Sequence, residues 1–408
     1  MKKLNIYILL LLSFFCSSHM TYAQNWQELG SGSNALAANG YIQSVITDNG
    51  GNVYAAGYFT NSGGNYYVAM WNGSTWVELG SGSNALNANG NINPLIIDQQ
   101  SNIYAAGSFT NGNGKYYVAK WNGNSWSELG SGSNALNATE KIVALSVDAS
   151  GNVYASCALS SSGNAVYISK WNGSTWSTIP AGSLNLRGSG NRCICNDGAG
   201  NLYALIDTGS YVSVVEWNGS SWNQLDTGAN ILKMQTSAYN TAYYNLTTDV
   251  CGNLYVSGSY SYSLNGGLGG TKLDIAKWDG TAWSTPGGAA EPSGVIFADS
   301  HCNIYIASAQ ITTTTTMYLD KWNGSAWNQF GSTADFTVFV GAGVTQHYVN
   351  GVVGIAVDTS GNIYAGGRLC KYQWLLLCCQ IRYYCYRRKA GSNKHYASPL
   401  PQSRRGQN

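Results

Sequence analysis

Residues 48–76 read DNGGNVYAAGYFTNSGGNYYVAMWNGSTW, and nearly the same string returns at 98–126. A fixed period decides an architecture before any single element does, because each repeat is one unit stacked on the next. The motif Asp-x-x-x-Asn-[Val/Ile/Leu]-Tyr occurs seven times, at Asp48, Asp98, Asp148, Asp197, Asp249, Asp299 and Asp358, with steps of 50, 50, 49, 52, 50 and 59 residues. A second signature, Trp-[Asn/Asp]-Gly-x-x-Trp, occurs six times, at Trp71/Trp76, Trp121/Trp126, Trp171/Trp176, Trp217/Trp222, Trp278/Trp283 and Trp322/Trp327. A half copy, Asn25-Trp26-Gln27-Glu28-Leu29-Gly30, precedes the first full unit.

Each unit reads as four short antiparallel strands. In the first they are expected at Ile42 to Thr47, Asn52 to Thr60, Tyr66 to Trp71 and Thr75 to Leu79. Asp48-Asn49-Gly50-Gly51-Asn52 puts a side-chain acceptor at the start of a tight turn and glycine where positive φ is needed. Asn72-Gly73 between two aromatic strands is a two-residue hairpin signal. The strands are apolar on both faces, as in Val53-Tyr54-Ala55-Ala56-Gly57, and a sheet buried on both faces must lie between neighbours. Small residues dominate the second strand and bulky Tyr and Trp the third and fourth, a gradient that suits sheets crowding near an axis and diverging outward. The expected fold is an all-β propeller of seven four-stranded antiparallel blades. The half copy would supply the outer strand of the seventh, whose inner strands begin near Val352.

The chain divides into three parts. Lys2 and Lys3 precede an apolar run from Ile6 to Phe15, and Thr21-Tyr22-Ala23 offers small residues where a signal peptidase reads, so residues 1–23 are expected to be a signal peptide. The run is too short for a comfortable membrane span, and nothing between Gln24 and Gly367 resembles one. A secreted or cell-surface propeller over residues 24–367 is expected. That region carries ten Lys or Arg against nineteen Asp or Glu, a balance that argues against nucleic acid as a partner. The composition is Gly- and Tyr-rich and poor in charge, as in exported all-β chains.

After Gly367 the pattern stops and residues 368–408 turn basic and cysteine-rich, with nine Lys or Arg and no acid. The genetic code offers a test of what happened. Regrouping each codon's second and third bases with the first base of the next forces Gly at Trp374, Val or Ala at Cys378 and Cys379, Asn or Ser at Lys371 and Gln373, and Lys or Arg at Gln380. One permitted reading of Arg368 to Ile381 is then DFVNTNGYYYVAKY, which matches SFTNGNGKYYVAKW, Ser108 to Trp121, without a gap. The tail is therefore read as a frame-shifted, non-native segment. Without the displaced frame the last blade is expected to lack its third strand and Trp26 its neighbour.

The copies GNVYAAG (Gly51 to Gly57), GNIYAGG (Gly361 to Gly367) and YYVAKWNGNSW (Tyr116 to Trp126) resemble exported bacterial β-propeller repeats. In those families the Asp motif marks the turn between the first two strands and the Trp motif the outer hairpin. The resemblance spans Asn25 to Gly367. It implies fold and export, and in some relatives a C-terminal sorting domain, but not activity, since propellers host many unrelated functions.

The chemistry legible in the residues is thin. The seven motif aspartates stand one per blade at equivalent turns, too far apart to share an ion, and are read as turn caps rather than metal ligands. Glu140, Asp207, Glu216, Asp226, Asp274, Glu291 and Asp335 lie outside the motif, and no spacing pairs them as glycoside hydrolysis requires. His301 and His347 are the only histidines in the body, leaving little material for a Ser-His-Asp or Cys-His site. Cys157, Cys193, Cys195, Cys251 and Cys302 are odd in number and irregular in spacing, which describes neither a disulfide framework nor a zinc site. Cys193 and Cys195 share one face of a strand, as a redox pair or as buried packing. The loop LGSGSNAL, at Leu29 to Leu36, Leu79 to Leu86 and Leu129 to Leu136, is either a ligand-facing rim whose Asn and Ser suit sugar hydroxyls or the residue of a recent duplication. No catalytic, cofactor or metal residue is assigned. The reading is a non-enzymatic binding or adhesion module for glycan or a surface protein. The alternatives are a secreted glycosidase or lyase using loop carboxylates and a structural spacer.

Overall fold

Every Asp motif folds the same way. Asp48 Oδ1 accepts the Asn52 backbone N–H at 2.9 Å, while Oδ2 accepts the Asn52 side-chain amide at 2.7 Å and the Tyr54 hydroxyl at 2.9 Å. The same set forms at Asp98, Asp148, Asp197, Asp299 and Asp358 with Tyr104, Tyr154, Tyr203, Tyr305 and Tyr364. At Asp249 the Asn253 backbone and side-chain N–H groups bind at 2.8 Å, with Tyr255 as the hydroxyl donor. The position before the Asn takes positive φ, by Gly at 51, 151, 200, 252 and 361 but by Ser101 and Cys302 at 63° and 59°. Each turn thus closes a hairpin between the first two strands and fixes the tyrosine against its base.

The computed structural model describes residues 27–160, 165–188, 193–225, 232–235, 244–258, 262–263, 275–287, 294–311, 315–329, 337–338, 352–367 and 385–388. Among these, blade 1 comprises Ile42–Thr47, Val53–Gly57, Ala69–Trp71 and Trp76–Glu78 in that sheet order, and blade 2 repeats it with Ile92–Ile97, Ile103–Gly107, Ala119–Trp121 and Trp126–Glu128. Blade 3 runs from Ile142–Val147 to Trp176–Ile179 and blade 5 from Tyr244–Thr248 to Trp283–Ser284, each in the same order. Blade 4, from Ile194–Asn196 to Trp222–Gln224, adds Lys233–Gln235 and Tyr262–Ser263. Blade 6, from Gly294–Ala298 to Trp327–Gln329, adds Thr337–Val338. All pairings are antiparallel, and the second strands, such as Val53–Gly57, are buried along their whole length.

A further sheet combines Val352–Val357 and Ile363–Gly367 with Cys385–Arg388 and Gln27–Glu28. It stands between blades 6 and 1, its first strand touching the first strand of each. Thr47 Oγ1 donates to the Val357 carbonyl at 3.2 Å. Gly354 and Gly366 permit the approach, since a Cβ on Gly366 would lie 2.6 Å from the Ile42 side chain. The first strands therefore form a closed ring, each sheet's innermost strand against the next.

Three expectations are corrected here. The structure has six complete blades, not seven, because the composite sheet lacks the Trp-Asn-Gly-x-x-Trp hairpin and draws on both ends of the chain. Its third strand is not missing: Cys385–Arg388 takes that place between Ile363–Gly367 and Gln27–Glu28. Trp26 lies outside the described residues. The third strand of blade 1 is shorter than the expected Tyr66 to Trp71, because Tyr66 leaves the sheet to pair with Ala88 of the following link.

Asp98→Ala strips acceptors from the Asn102 and Tyr104 donors of blade 2, and we expect it to cost about 2–4 kcal/mol, against about 1 kcal/mol for Tyr104→Phe. Urea denaturation of the full chain measures both.

Candidate functional site

In a four-stranded meander the connections alternate between two ends. The Asp turns and the Trp-Asn-Gly turns share one face, here the turn face; the connections from second to third strand and from one blade to the next share the other, the link face. The LGSGSNAL segments are blade-to-blade links, each with a 3-10 turn at Gly32–Asn34, Gly82–Asn84 or Gly132–Asn134. Their serines are exposed. The links are clasped to the neighbouring hairpins. Thr60 N–H donates to Asn39 Oδ1 at 2.8 Å and Asn39 Nδ2 to Thr60 Oγ1 at 3.0 Å, and Asn89 and Thr110 repeat the pair at the same distances. Asn61 caps its own turn through Gly63 and Asn65 N–H groups and donates to Glu78 at 3.1 Å. Part of the rim that the sequence offered to a ligand is thus committed to holding the loops.

What breaks the repetition on this face is aromatic. Tyr41 and Tyr58 meet edge-to-face with ring centroids 6.0 Å apart, and Tyr58 is 44% exposed. Burial of its remaining surface, with Tyr66 and Tyr41 beside it, raises the Tyr58 phenol. Blade 2 has Asn91 and Ser108, and blade 3 Lys141 and Ala158, at the matching positions. Tyr41 and Tyr58 lie just beyond the Ile42–Gly57 pair that ends the first hairpin, next to a register shift between Ile42 and Ser44 that blades 2 and 3 share. Exposed Ser31, Ser33, Asn34 and Asn39 border them in the chain. An apolar plane with hydroxyls at its edge, inside a rim of amides and hydroxyls, is chemistry for a polyhydroxylated ligand.

A second departure lies on the same face at blade 4. Arg187 occupies the link position held by Ala88 and Ala138 in earlier blades. It is 3% exposed, paired with Asp207, and 6.0 Å from the Tyr244 ring. A buried charge with its counter-ion in place is a packing element, and removing one partner would strand the other.

The paired tryptophans of the outer hairpins link neighbouring blades. Each Trp pair has centroids 5.4 to 5.9 Å apart. The second indole donates into the preceding link: Trp76 to Leu29 O, Trp126 to Leu79 O, Trp176 to Leu129 O, Trp222 to Pro180 O and Trp327 to Pro286 O, at 2.7 to 3.0 Å. The Trp283 indole N–H is buried with no partner among the described residues. Leu29, Leu79, Leu129, Ile179 and Leu225 plug the crevice beside these bonds and are buried. Blade 5 has Pro286 there, and a cavity of about 290 Å³ opens between blades 5 and 6, walled by Tyr255, Lys277, Trp322 and Cys302.

The sequence-derived candidates resolve as follows. The seven aspartates hold their turns as described. Asp207 is in the ion pair, and Glu216 faces Tyr203 across the sheet, its carboxyl raised by burial and then by Asp197. Asp226, Asp274, Glu291, Asp335 and His347 lie outside the described residues. His301 donates its backbone N–H to Asp299 at 2.8 Å and exposes its ring.

The cysteines require a correction. Cys251 and Cys302 form a disulfide between the Asp turns of blades 5 and 6, with Cα atoms 6.0 Å apart. Their distances from Asp249 and Asp299, two and three residues, place them on facing turns, a signal available in the repeat frame but not in raw spacing. Asp249 lies within 4.8 Å of both sulfurs, yet its carboxylate is engaged by N–H donors and the sulfurs by each other, so the cluster is no ligand set. Cys157 and Cys193 are buried free thiols and Cys195 is half-buried.

No family model and no curated protein matches this chain. Solved structures resemble it in fold. The β-propeller domain of the Trilobed protease from Pyrococcus furiosus is 9% identical, with a TM-score of 0.49 over 82% of this chain and 96% of that one. The polysaccharide lyase Uly1 is 11% identical, with 0.47 over 89% and 93%. The Aleuria aurantia lectin in complex with Fucalpha1-6GlcNAc is 17% identical, with 0.43 over 74% and 97%.

Two outcomes follow from the cysteines. Cys251→Ala/Cys302→Ala removes a cross-link over a 51-residue separation and should cost about 4 kcal/mol on the chain-entropy account, read by denaturant titration of the full chain. Burial pushes the Cys157 thiol up to about 12 and the Cys193 thiol up to about 11, so both stay protonated at neutral pH. Peptide mapping after iodoacetamide treatment at pH 8 should find both unmodified in the folded chain and modified after denaturation.

Proposed function

We propose that this chain is an exported, non-enzymatic binding module that takes glycan on the link face of its first blades. The observation that carries the reading is the Tyr41–Tyr58 pair, its Tyr58 ring exposed and its Tyr41 ring half-buried on a clasped rim of Asn and Ser side chains. Rigid loops favour binding, because the ordering cost is met on folding rather than on association. The Cys251–Cys302 disulfide fits an oxidising compartment, in keeping with a signal peptide at 1–23 and a secreted or surface location. On this reading the repeat aspartates and tryptophans are structural, and the composite sheet serves as the seventh member of the ring.

A glycosidase or lyase needs two carboxyl groups facing one substrate. Among the described residues Asp207 faces Arg187, Glu78 and Glu128 accept from Asn61 and Asn111, Asp279 holds its own turn, and the Asp197 carboxylate beside Glu216 is engaged by Asn201 and Tyr203. This supports binding over turnover.

A panel of immobilised neutral and acidic polysaccharides tests the proposal. We expect retention of the full chain on at least one of them without release of reducing ends or unsaturated products. Tyr58→Ala should weaken that retention by about tenfold, the effect of losing roughly 1.4 kcal/mol, whereas Pro286→Leu, between blades 5 and 6 and away from this pair, should leave it unchanged. Product release would favour the enzyme. Neither retention nor release would favour a spacer.

A further inference from the structure

The outer hairpin of every blade turns on Asn-Gly or, in blade 5, on Asp-Gly. Asn72 Oδ1 accepts three hydrogen bonds, from the Ser74 N–H at 3.1 Å, the Ser74 hydroxyl at 2.9 Å and the Thr75 N–H at 3.1 Å. Asn172, Asn218 and Asn323 repeat the set at 2.9 to 3.0 Å, with Ser174, Ser220 and Ser325 giving the hydroxyl. All four asparagines are exposed, and their amide nitrogens make no hydrogen bond among the described residues. The glycine that follows each stands at φ 95° to 100°, has no Cβ to shield its nitrogen, and leaves its own N–H uncommitted among the described residues.

Together these features prepare an intramolecular acyl transfer. The glycine nitrogen is bonded to the asparagine's own carbonyl carbon, so its attack on the side-chain Cγ closes a small, unstrained ring. Negative charge gathers on Oδ1 as that bond forms, and three donors already surround the atom, which is the arrangement of an oxyanion hole. The steps balance with water as the sole co-reactant. Gly73 N gives up its proton and bonds to Asn72 Cγ, the C=O electron pair moves onto Oδ1 and returns as the Cγ–Nδ2 bond breaks, and ammonia leaves with the proton. Water then opens the cyclic imide to aspartate or isoaspartate. Nothing is oxidised or reduced.

Blade 5 has the product residue in place. Asp279 takes the same three donors, the Thr281 N–H at 2.9 Å, the Thr281 hydroxyl at 2.8 Å and the Ala282 N–H at 2.8 Å. The Ala282 N–H first, then the Thr281 hydroxyl and N–H, hold its carboxyl down at about 2. The hairpin therefore accommodates a full negative charge with its hydrogen bonds intact. We infer that Asn72, Asn172, Asn218 and Asn323 are self-modification sites, asparagines whose turns promote their own deamidation.

Other Asn-Gly pairs in the chain serve as controls. Asn122-Gly123 forms the same turn, but Asn124 stands where the others have serine, leaving two donors at 3.0 Å. Asn49-Gly50 and Asn113-Gly114 are exposed and make no side-chain hydrogen bond among the described residues. Asn39 and Asn89, also followed by glycine, commit both side-chain oxygen and nitrogen to Thr60 and Thr110. Sequence alone ranks all of these alike, whereas their surroundings separate them.

The test incubates the full chain in mildly alkaline buffer, with and without urea, and follows aspartate and isoaspartate at each site by peptide mapping with mass spectrometry. In native buffer we expect the four turn sites to convert about fivefold faster than Asn49 and Asn113, with Asn122 between them and Asn39 and Asn89 slowest. In urea the rates should converge. Ser174→Ala should bring Asn172 down to the rate of Asn122, while Asn72 in the same chain keeps its own and so reports that the variant is folded. Should that variant unfold, Asn72 slows with it and the wild-type ranking decides alone. Turn sites no faster than Asn49 and Asn113 in the folded chain, a ranking that survives urea, or a folded Ser174→Ala chain with an unchanged rate at Asn172 overturns the inference.

Discussion

Everything in this fold depends on a carboxylate buried at a turn with its donors already in place. An aspartate taken out of water loses several kcal/mol of solvation unless its oxygens are met by hydrogen bonds. Here one oxygen takes the backbone N–H four residues on, and the other takes an amide and a phenol. The acceptor thereby dictates three things at once. It closes the turn, fixes the register of the first two strands, and orients a tyrosine whose ring covers the turn. The phenol is left strongly disinclined to ionise, first by its burial and then by the carboxylate beside it. It stays a donor over the whole working pH range. A hairpin set this firmly can be repeated around an axis with little variation, which is what a ring of sheets needs in order to close.

Closure demands a second constraint, close approach at the centre. The innermost strands are packed so tightly that Gly354 and Gly366 have no room for a Cβ, and Ser44 and Thr248 bridge adjacent blades through hydroxyl bonds to backbone. Further out the sheets diverge and the space is filled by paired indoles, five of whose six second rings are tied to the preceding link through the N–H. Inner packing fixes spacing and the outer bonds fix rotation. The outer bonds take only a backbone carbonyl at the start of each link, so the link side chains are free to vary, and binding surfaces on rigid scaffolds are usually built from such loops.

The architecture was legible because its causes are local and repeated. Asp48, Asn52 and Tyr54 lie within one turn, and Trp71 with Trp76 within one hairpin, so their geometry follows from spacing alone. What escaped reading depends on contacts between blades. The Cys251–Cys302 bond joins residues 51 apart, and becomes visible only once both are counted from their own turn aspartates. The Tyr41–Tyr58 pair requires knowing that a register shift brings the start of one strand beside the end of the next. Arg187 looked like any loop cation, yet it replaces a buried alanine and needs Asp207 to survive there. The shortened third strand of blade 1 reflects competition, because Tyr66 finds a better backbone partner in the link than in its own sheet.

A repeat protein supplies its own controls, and that is where its specific chemistry is to be sought. A residue shared by all blades is explained by the ring. A residue that departs from its counterparts has either lost a constraint or acquired another. Pro286 for leucine removes a plug and leaves a cavity; Cys302 accepts positive φ where glycine is the rule, an unfavourable choice that its bond to Cys251 offsets. Tyr58 exposes an aromatic ring, edge-to-face with Tyr41, where blade 2 has serine and blade 3 alanine. By that reasoning the disulfide and the turn chemistry belong to stability, whereas an exposed tyrosine beside a second ring is the departure on which the proposed glycan binding rests.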